Sequence, residues 1–453
     1  MKKRTLAAIC MMTVTAMLTA CGGGSTGGTQ TTAAAGGGDK GQEQASAPAD
    51  GQVVINFMHK YCQPEQAPAF EKIVQMYMDE HPNVKINIET TTDNEIKSKL
   101  KLALGSGDMP DVYQTWAGEY TEKFIRAGAA LDLTPYMEAD PEWKDSFIPA
   151  AYSMFKYTDG GQYAVPTRFD GEVFIYKKSV FEQYGIEEPK TWDELLAICE
   201  TLKSNGVTPF ILGDQLSWDA PHWFGALWQK CVPEDVLEQQ DFNVKTVKID
   251  DPGYITGLNY FTDLLDKGYF NDNINSMEHN MALEYFYAGQ GAMMYVEILE
   301  FNDINKGLNG DFGFFMMPTI EAEDAKGNQN KMFGAPEGMI VNPNSQNVDV
   351  AVDFVKFLTS PEMQKLVVEE AGHTSSTIGA HTDENTIPQL RGAMDAVLDF
   401  EGMSNWTDCG FEAGIVDTMC KLGQDFVDKS ITAEEYIKGM QESAKTVREA
   451  NAD

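Results

Sequence analysis

From residue 53 onward, short apolar runs alternate with longer stretches in which apolar residues recur every three or four positions. "VVINFMH" (Val53 to His59) has the length and composition of a buried strand. Next, Phe70, Ile73, Val74, Tyr77 and Met78 fall on one face of a helix that Pro82 ends. In "VKINIET" the residues Val84, Ile86 and Ile88 alternate as in a half-buried strand. "EIKSKLKLALGSGDMP" predicts a second helix stopped at Gly105, and "DVYQTW" a third strand. A β-α-β-α-β rhythm predicts a parallel sheet with helices on its faces. Ligands of such sheets sit beyond the carboxyl ends of the strands. Those ends carry His59, Lys60 and Tyr61, then Trp116 and Glu119, which become candidate ligand-binding residues.

Tyr163 to Phe181 is extended and has no helical period, as expected of a strand crossing into a second lobe. "TWDELLAICETLKSNG" carries complete helix signals: Thr191 as N-cap, Glu194 three residues later for a capping box, and Gly206 as the stop. "TPFIL" predicts a strand, as do "GAMMYVEI", "DFGFFMMP" and "MIVNP". Helices are expected over 221–230, 254–267 and 281–288, then a pair broken near Pro361 and a mostly helical tail after Ile387. No internal repeat is present.

The first 51 residues have a different pattern. Lys2, Lys3 and Arg4 precede an apolar stretch from Leu6 to Leu18, and "LTAC" ends at Cys21. The stretch is too short for a membrane span and has the layout of an export signal. With Cys at its end it resembles a bacterial lipobox, so residues 1–20 are expected to be removed and Cys21 to be lipidated. Two or more acyl chains hold a protein stably on a membrane. Residues 22–51 are nearly all Gly, Thr, Ala, Ser and Gln without an aromatic, a composition that builds no core. As a flexible coil this linker has a mean reach of about 30 Å. "GGSTG" within it matches G-x-S-x-G but has no strand before it or helix after it, so it carries no nucleophile reading.

A body of about 400 residues exceeds one core, and two lobes follow. The formal net charge of −35 excludes nucleic acid and anionic lipid as natural partners but is silent about a neutral ligand. Besides Cys10 and Cys21 the chain has Cys62, Cys199, Cys231, Cys409 and Cys420, an odd set with no C-x-x-C spacing, and no disulfide is predicted. There is no H-E-x-x-H, P-loop or dinucleotide fingerprint, and Asn271–Asn275 lacks the Gly and the terminal Glu of a calcium loop. No cofactor and no metal are expected.

Six segments carry a family resemblance: "GDMPDVYQTW", "LDLTPYM", "YAVPTRFDGEVFIYKKSVFEQYGI", "PKTWDELLAICETLKSNGVTPF", "GQGAMMYVE" and "AVDFVKFLTSPEMQ". In this order, from about residue 53 to 366, they resemble the extracellular solute-binding proteins of carbohydrate ABC importers, the maltose-binding-like group. The resemblance implies an α/β fold of two lobes, each a mainly parallel sheet flanked by helices, with a ligand cleft between them that closes about a hinge. It implies lobe 1 at 52–165 plus 310–345 and lobe 2 at 166–309 plus 346–453. It further implies a monomer that binds a sugar or oligosaccharide and passes it to membrane permease subunits, without catalysis. Where many members have a Trp after the "GxxAM" segment, this chain has Glu297 and Leu299.

A sugar presents flat apolar faces and a rim of hydroxyls, so its site needs aromatic rings beside charged hydrogen-bonding groups. "SWDAPHWFGALW" is the densest such cluster and adds Trp218, Asp219, His222 and Trp223 to the candidates. Arg168 and Asp170 on the crossing segment, Glu297, Glu337 as an exposed residue of a glycine-flanked loop, and Trp406 in a polar loop complete the set. Trp228, Trp143 and Trp192 are expected in the core. Two alternatives stay open: a receptor for a non-sugar solute such as a polyamine, and an exported glycan hydrolase with two acting carboxylates.

Overall fold

The computed structural model describes residues 51–452 apart from 398 and 399. The export signal, Cys21 and residues 22–50 of the linker lie outside the described residues. The described residues hold ten strands: β1 (Val53–His59), β2 (Val84–Thr90), β3 (Val112–Trp116), β4 (Val165–Arg168), β5 (Glu172–Tyr176), β6 (Met293–Glu297), β7 (Gly313–Phe315), β8 (Lys331–Phe333), β9 (Glu337–Val341) and β10 (Gly402–Ser404).

The first sheet has the order β2-β1-β3-β9-β4. β1 runs parallel to β2 and β3, in register from Val53 opposite Val84 to His59 opposite Thr90, while β9 is antiparallel to both β3 and β4. The helix Ala67–Glu80 lays Phe70, Ile73, Val74 and Tyr77 on this sheet, as its spacing predicts. Burying each such side chain contributes about 1.5–3 kcal/mol. The second helix runs Asp93–Ser106 and is capped by Gly107 in the left-handed region, two residues beyond the expected Gly105. Gly107 tolerates that conformation because it lacks a Cβ.

The second sheet has the order β6-β5-β7, and both of its ladders are antiparallel. This corrects the expected mainly parallel second lobe: a strand buried on both faces reads the same in either direction, so pairing sense is invisible in the pattern. "TPFIL" forms no ladder; Phe210 makes single parallel bridges to Phe270 and Met293. A short parallel pair, β8 with β10, lies apart from both sheets.

Two expected limits of the lobes are corrected as well. β7, placed with lobe 1, pairs with β5 in the second sheet. The helices Val348–Leu358 and Pro361–Ala371, placed with lobe 2, pack Val352, Phe354, Val355, Met363 and Val367 into the core of the first sheet. Each apolar helix face goes to whichever sheet face is still uncovered, and no local signal names that sheet. The helix Trp192–Ser204 has the expected capping box of Thr191 with Glu194, and Trp192, Trp143 and Trp228 are buried.

The route of the chain between sheets positions the site. Only Phe169, Asp170 and Gly171 separate β4 from β5, so the end of one sheet abuts the end of the other. The backbone of Gly334 touches that of Asp170 and Gly171 so closely that a Cβ at Gly334 would lie 2.5 Å from their atoms.

Candidate functional site: a charged cluster where the two sheets meet

Register brings the chemistry together. Glu337 at the start of β9 pairs with Trp116 at the end of β3 and with Arg168 at the end of β4. On the second sheet, Glu172 at the start of β5 pairs with Glu297 at the end of β6. The link through 169–171 sets these two pairs against each other.

Glu337 is buried, not exposed as expected, and it is the hub of the first half. Its Oε1 lies 2.5 Å from Lys60 Nζ and 3.8 Å from the Arg168 guanidinium. Its Oε2 accepts from the Tyr61 hydroxyl and from Gln114 Nε2, each at 2.9 Å. A buried carboxylate persists only when paired and hydrogen-bonded in this way. Burial first, and then the Glu337 charge, push the Tyr61 hydroxyl well above its ordinary range. The Trp116 ring lies beside them, with Lys60 Nζ 5.2 Å and Lys97 Nζ 4.8 Å from its centre. Both are at cation–π distance.

The second half holds more acid than base. Asp170 is fully buried; its Oδ1 accepts from the Gly171 and Leu299 amides, and its Oδ2 has no partner among the described residues. Burial, then the Glu297 charge, pushes the Asp170 carboxyl up against the pull of Arg168. Glu297, only partly covered, is pushed up to about 8 by burial, with His222 opposing and Glu300 and Glu172 adding to the rise. His222 Nδ1 meets Glu172 Oε1, and its Nε2 lies 3.7 Å from Asp408. Burial alone would lower the His222 pKa, but Glu172 and Asp408 outweigh it and hold the ring as an imidazolium. The ring stacks on Trp406 at 5.7 Å. A second imidazolium adjoins: His279 bridges Asp219 and Glu300, with the Trp218 ring 4.9 Å away. Glu172, His222 and Glu297 place one donor atom each within 4.8 Å of one another. Both nitrogens of His222 already face carboxylates, so the ring has no lone pair to give a metal.

Of the residues expected at the cleft, Lys60, Tyr61, Trp116, Arg168, Asp170, His222, Glu297, Glu337 and Trp406 meet there, and Trp218 and Asp219 adjoin through His279. Three do not. His59 is buried between Phe57, Tyr61 and Phe70, and burial lowers its pKa to about 3. The strand alternation turns its ring to the helix side rather than toward the cleft. Trp223 belongs to the second sheet's core, packed by Phe174, Phe210, Phe270 and Tyr295. Glu119 is tied to Arg126 of its own helix. Sequence reasoning missed Gln114, Glu172, Glu300 and Asp408. Gln114 and Glu172 had a signal, a polar residue inside an otherwise apolar buried strand; Asp408 had none.

The fold is that of a two-lobed α/β protein of the periplasmic-binding-protein type, and aromatic rings and paired charges gather where its two sheets meet. The chain belongs to the bacterial extracellular solute-binding protein family, whose model matches residues 63–365. It is 28% identical over 56% of its length to an ABC transporter extracellular-binding protein of Pyrococcus horikoshii, and spans 57% of that relative. It is 26% identical over 69% of its length to a maltotriose-binding protein of Pyrococcus abyssi, and spans 64% of it. Among solved structures, a chitin oligosaccharide binding protein superposes with a TM-score of 0.76 at 23% identity, over 88% of this chain and 99% of that one.

Proposed function

We propose that this protein is an extracytoplasmic receptor, tethered to the membrane through Cys21, that binds a sugar or oligosaccharide by hinge closure and delivers it to an ABC permease. The observation that carries the reading is the juxtaposition of Trp116 and Trp406 with the Lys60–Glu337–Arg168 and Glu172–His222–Asp408 groups at the seam of two sheets. Flat rings cover sugar faces, and charged groups take hydroxyls in hydrogen bonds worth about 1.5–3 kcal/mol each. The first sheet with the helices at 348–371 forms one lobe, and the second sheet with the C-terminal helices forms the other. Contacts made from both lobes favour the closed arrangement and shift the population toward it. The receptor acts as a monomer.

A thermal-shift panel of mono- and oligosaccharides with polyamines tests this. A ligand at 100 times its Kd stabilises by about 2.7 kcal/mol. A panel in which only polyamines raise the melting temperature would refute the sugar reading. For the tether, Cys21→Ser should release the protein into the medium and abolish fatty-acid labelling; continued labelling would refute it.

A further inference from the structure

The cleft is not electrically balanced. On the side of the second sheet, Asp170, Glu172, Asp219, Glu297, Glu300 and Asp408 face two imidazoliums, His222 and His279. Each imidazolium lies between two carboxylates, His222 between Glu172 and Asp408 and His279 between Asp219 and Glu300. Asp170 Oδ2 and Asp219 Oδ2 are buried and have no hydrogen-bond partner among the described residues. Their residues are 0% and 6% exposed. Lys60 and Arg168 lie toward Glu337, and Arg168 gives Asp170 only part of its balance. A neutral sugar could donate hydroxyls to these oxygens but would bring no charge of its own to the carboxylate-rich cluster.

We propose that the saccharide this cleft accepts carries a protonated amine, seated against Asp170, Glu172 and Glu297 while its ring faces cover the tryptophans. The proposal rests on the sugar-receptor reading. An ammonium supplies both what the open oxygens lack, N–H donors, and what the cluster lacks, positive charge.

A proton signature follows. Without ligand, the cluster relieves its excess by keeping a proton on Glu297, whose pKa is pushed up to about 8. The charged groups that face Glu297 are Glu172 and Asp170 beside it, Glu300 beyond the end of β6, His222 from the helix Asp219–Cys231, and Lys60 and Arg168 from the first sheet. An arriving ammonium favours the ionised carboxylates and expels the proton. Affinity should therefore rise with pH until the ligand's own amine begins to lose its proton.

The test is titration calorimetry on the intact protein at pH 7 in two buffers of different ionisation enthalpy. The probes are glucosamine oligomers, their N-acetylated counterparts, neutral gluco-oligosaccharides and spermidine. Expected are tighter binding of the free-amine oligomers, by about tenfold or more, and proton release seen as a buffer-dependent heat. Asp170→Asn should reduce that preference, with circular dichroism confirming that the variant is folded. Equal or tighter binding of the neutral or acetylated oligomers would overturn the amine proposal and leave the sugar receptor standing. Binding of spermidine with no saccharide would overturn both.

Discussion

Replacing Glu337 by Gln removes one buried charge and keeps the side chain's shape. The carboxylate is 2% exposed, 2.5 Å from Lys60 and 3.8 Å from Arg168. At an effective dielectric of about 20, two unit charges near 4 Å interact by about 4 kcal/mol. Lys60, 16% exposed, can turn toward water and recover hydration; Arg168, 6% exposed, cannot. The loss is therefore governed by Arg168, at about 3–5 kcal/mol for a buried cation left without its counter-charge. Unfolding about 400 ordered residues at about 2.1 cal/mol/K each makes this a fall of about 4–6 °C in Tm. The shift is larger if the lobe of the first sheet melts as its own unit. Differential scanning calorimetry reads it directly. Combining Glu337→Gln with Arg168→Met should restore more than about 1 kcal/mol relative to the sum of the single changes. A Tm within about 1 °C of the wild type, or strict additivity, would refute the view that Glu337 exists to neutralise this cluster.

Trp116→Ala should weaken sugar binding by tenfold or more in calorimetry and, its ring being buried, also lower the Tm, whereas Trp223→Ala should cost about 3–5 kcal/mol of stability through the cavity it opens in the second sheet's core without removing a ring from the charged cluster. Gly118, at φ 88°, would place a Cβ 2.9 Å from the Cys409 carbonyl and closer still to Asn405; Gly118→Ala should destabilise by about 1–3 kcal/mol in urea unfolding. His222 and His279 have raised pKa values, so their contribution is fully present below about 6.5, the ordinary value for His, and is lost as pH rises through their folded values. Urea midpoints should therefore decline on the alkaline side, and His279→Gln should flatten the decline. His59 is the opposite case: held neutral down to about 3, it should make stability fall as pH drops from about 6.5, ordinary for His, toward that value, and His59→Leu should remove that slope.

The chain's own periodicity determined most of the local structure. Phe70 to Tyr77 at helical spacing, Val84 to Ile88 in alternation and the Thr191–Glu194 capping box each became the element they predict, because each signal lies within a few residues. Trp116, Arg168, Glu297 and Glu337 were legible as candidates from charge or a large ring beside a predicted strand or turn, and the structure brings them together. Only the tertiary structure decided that β5 and its neighbours run antiparallel, that the helices at 348–371 cover the first sheet, and that Glu337 is buried at a hub. The same holds for His59 and Trp223, which are chemically fit for a cleft but are turned into cores, and for Asp408, which reaches His222 across 186 positions of sequence. These outcomes depend on which faces remain uncovered once the chain has crossed between sheets, a condition set by long-range packing that no local run of residues records.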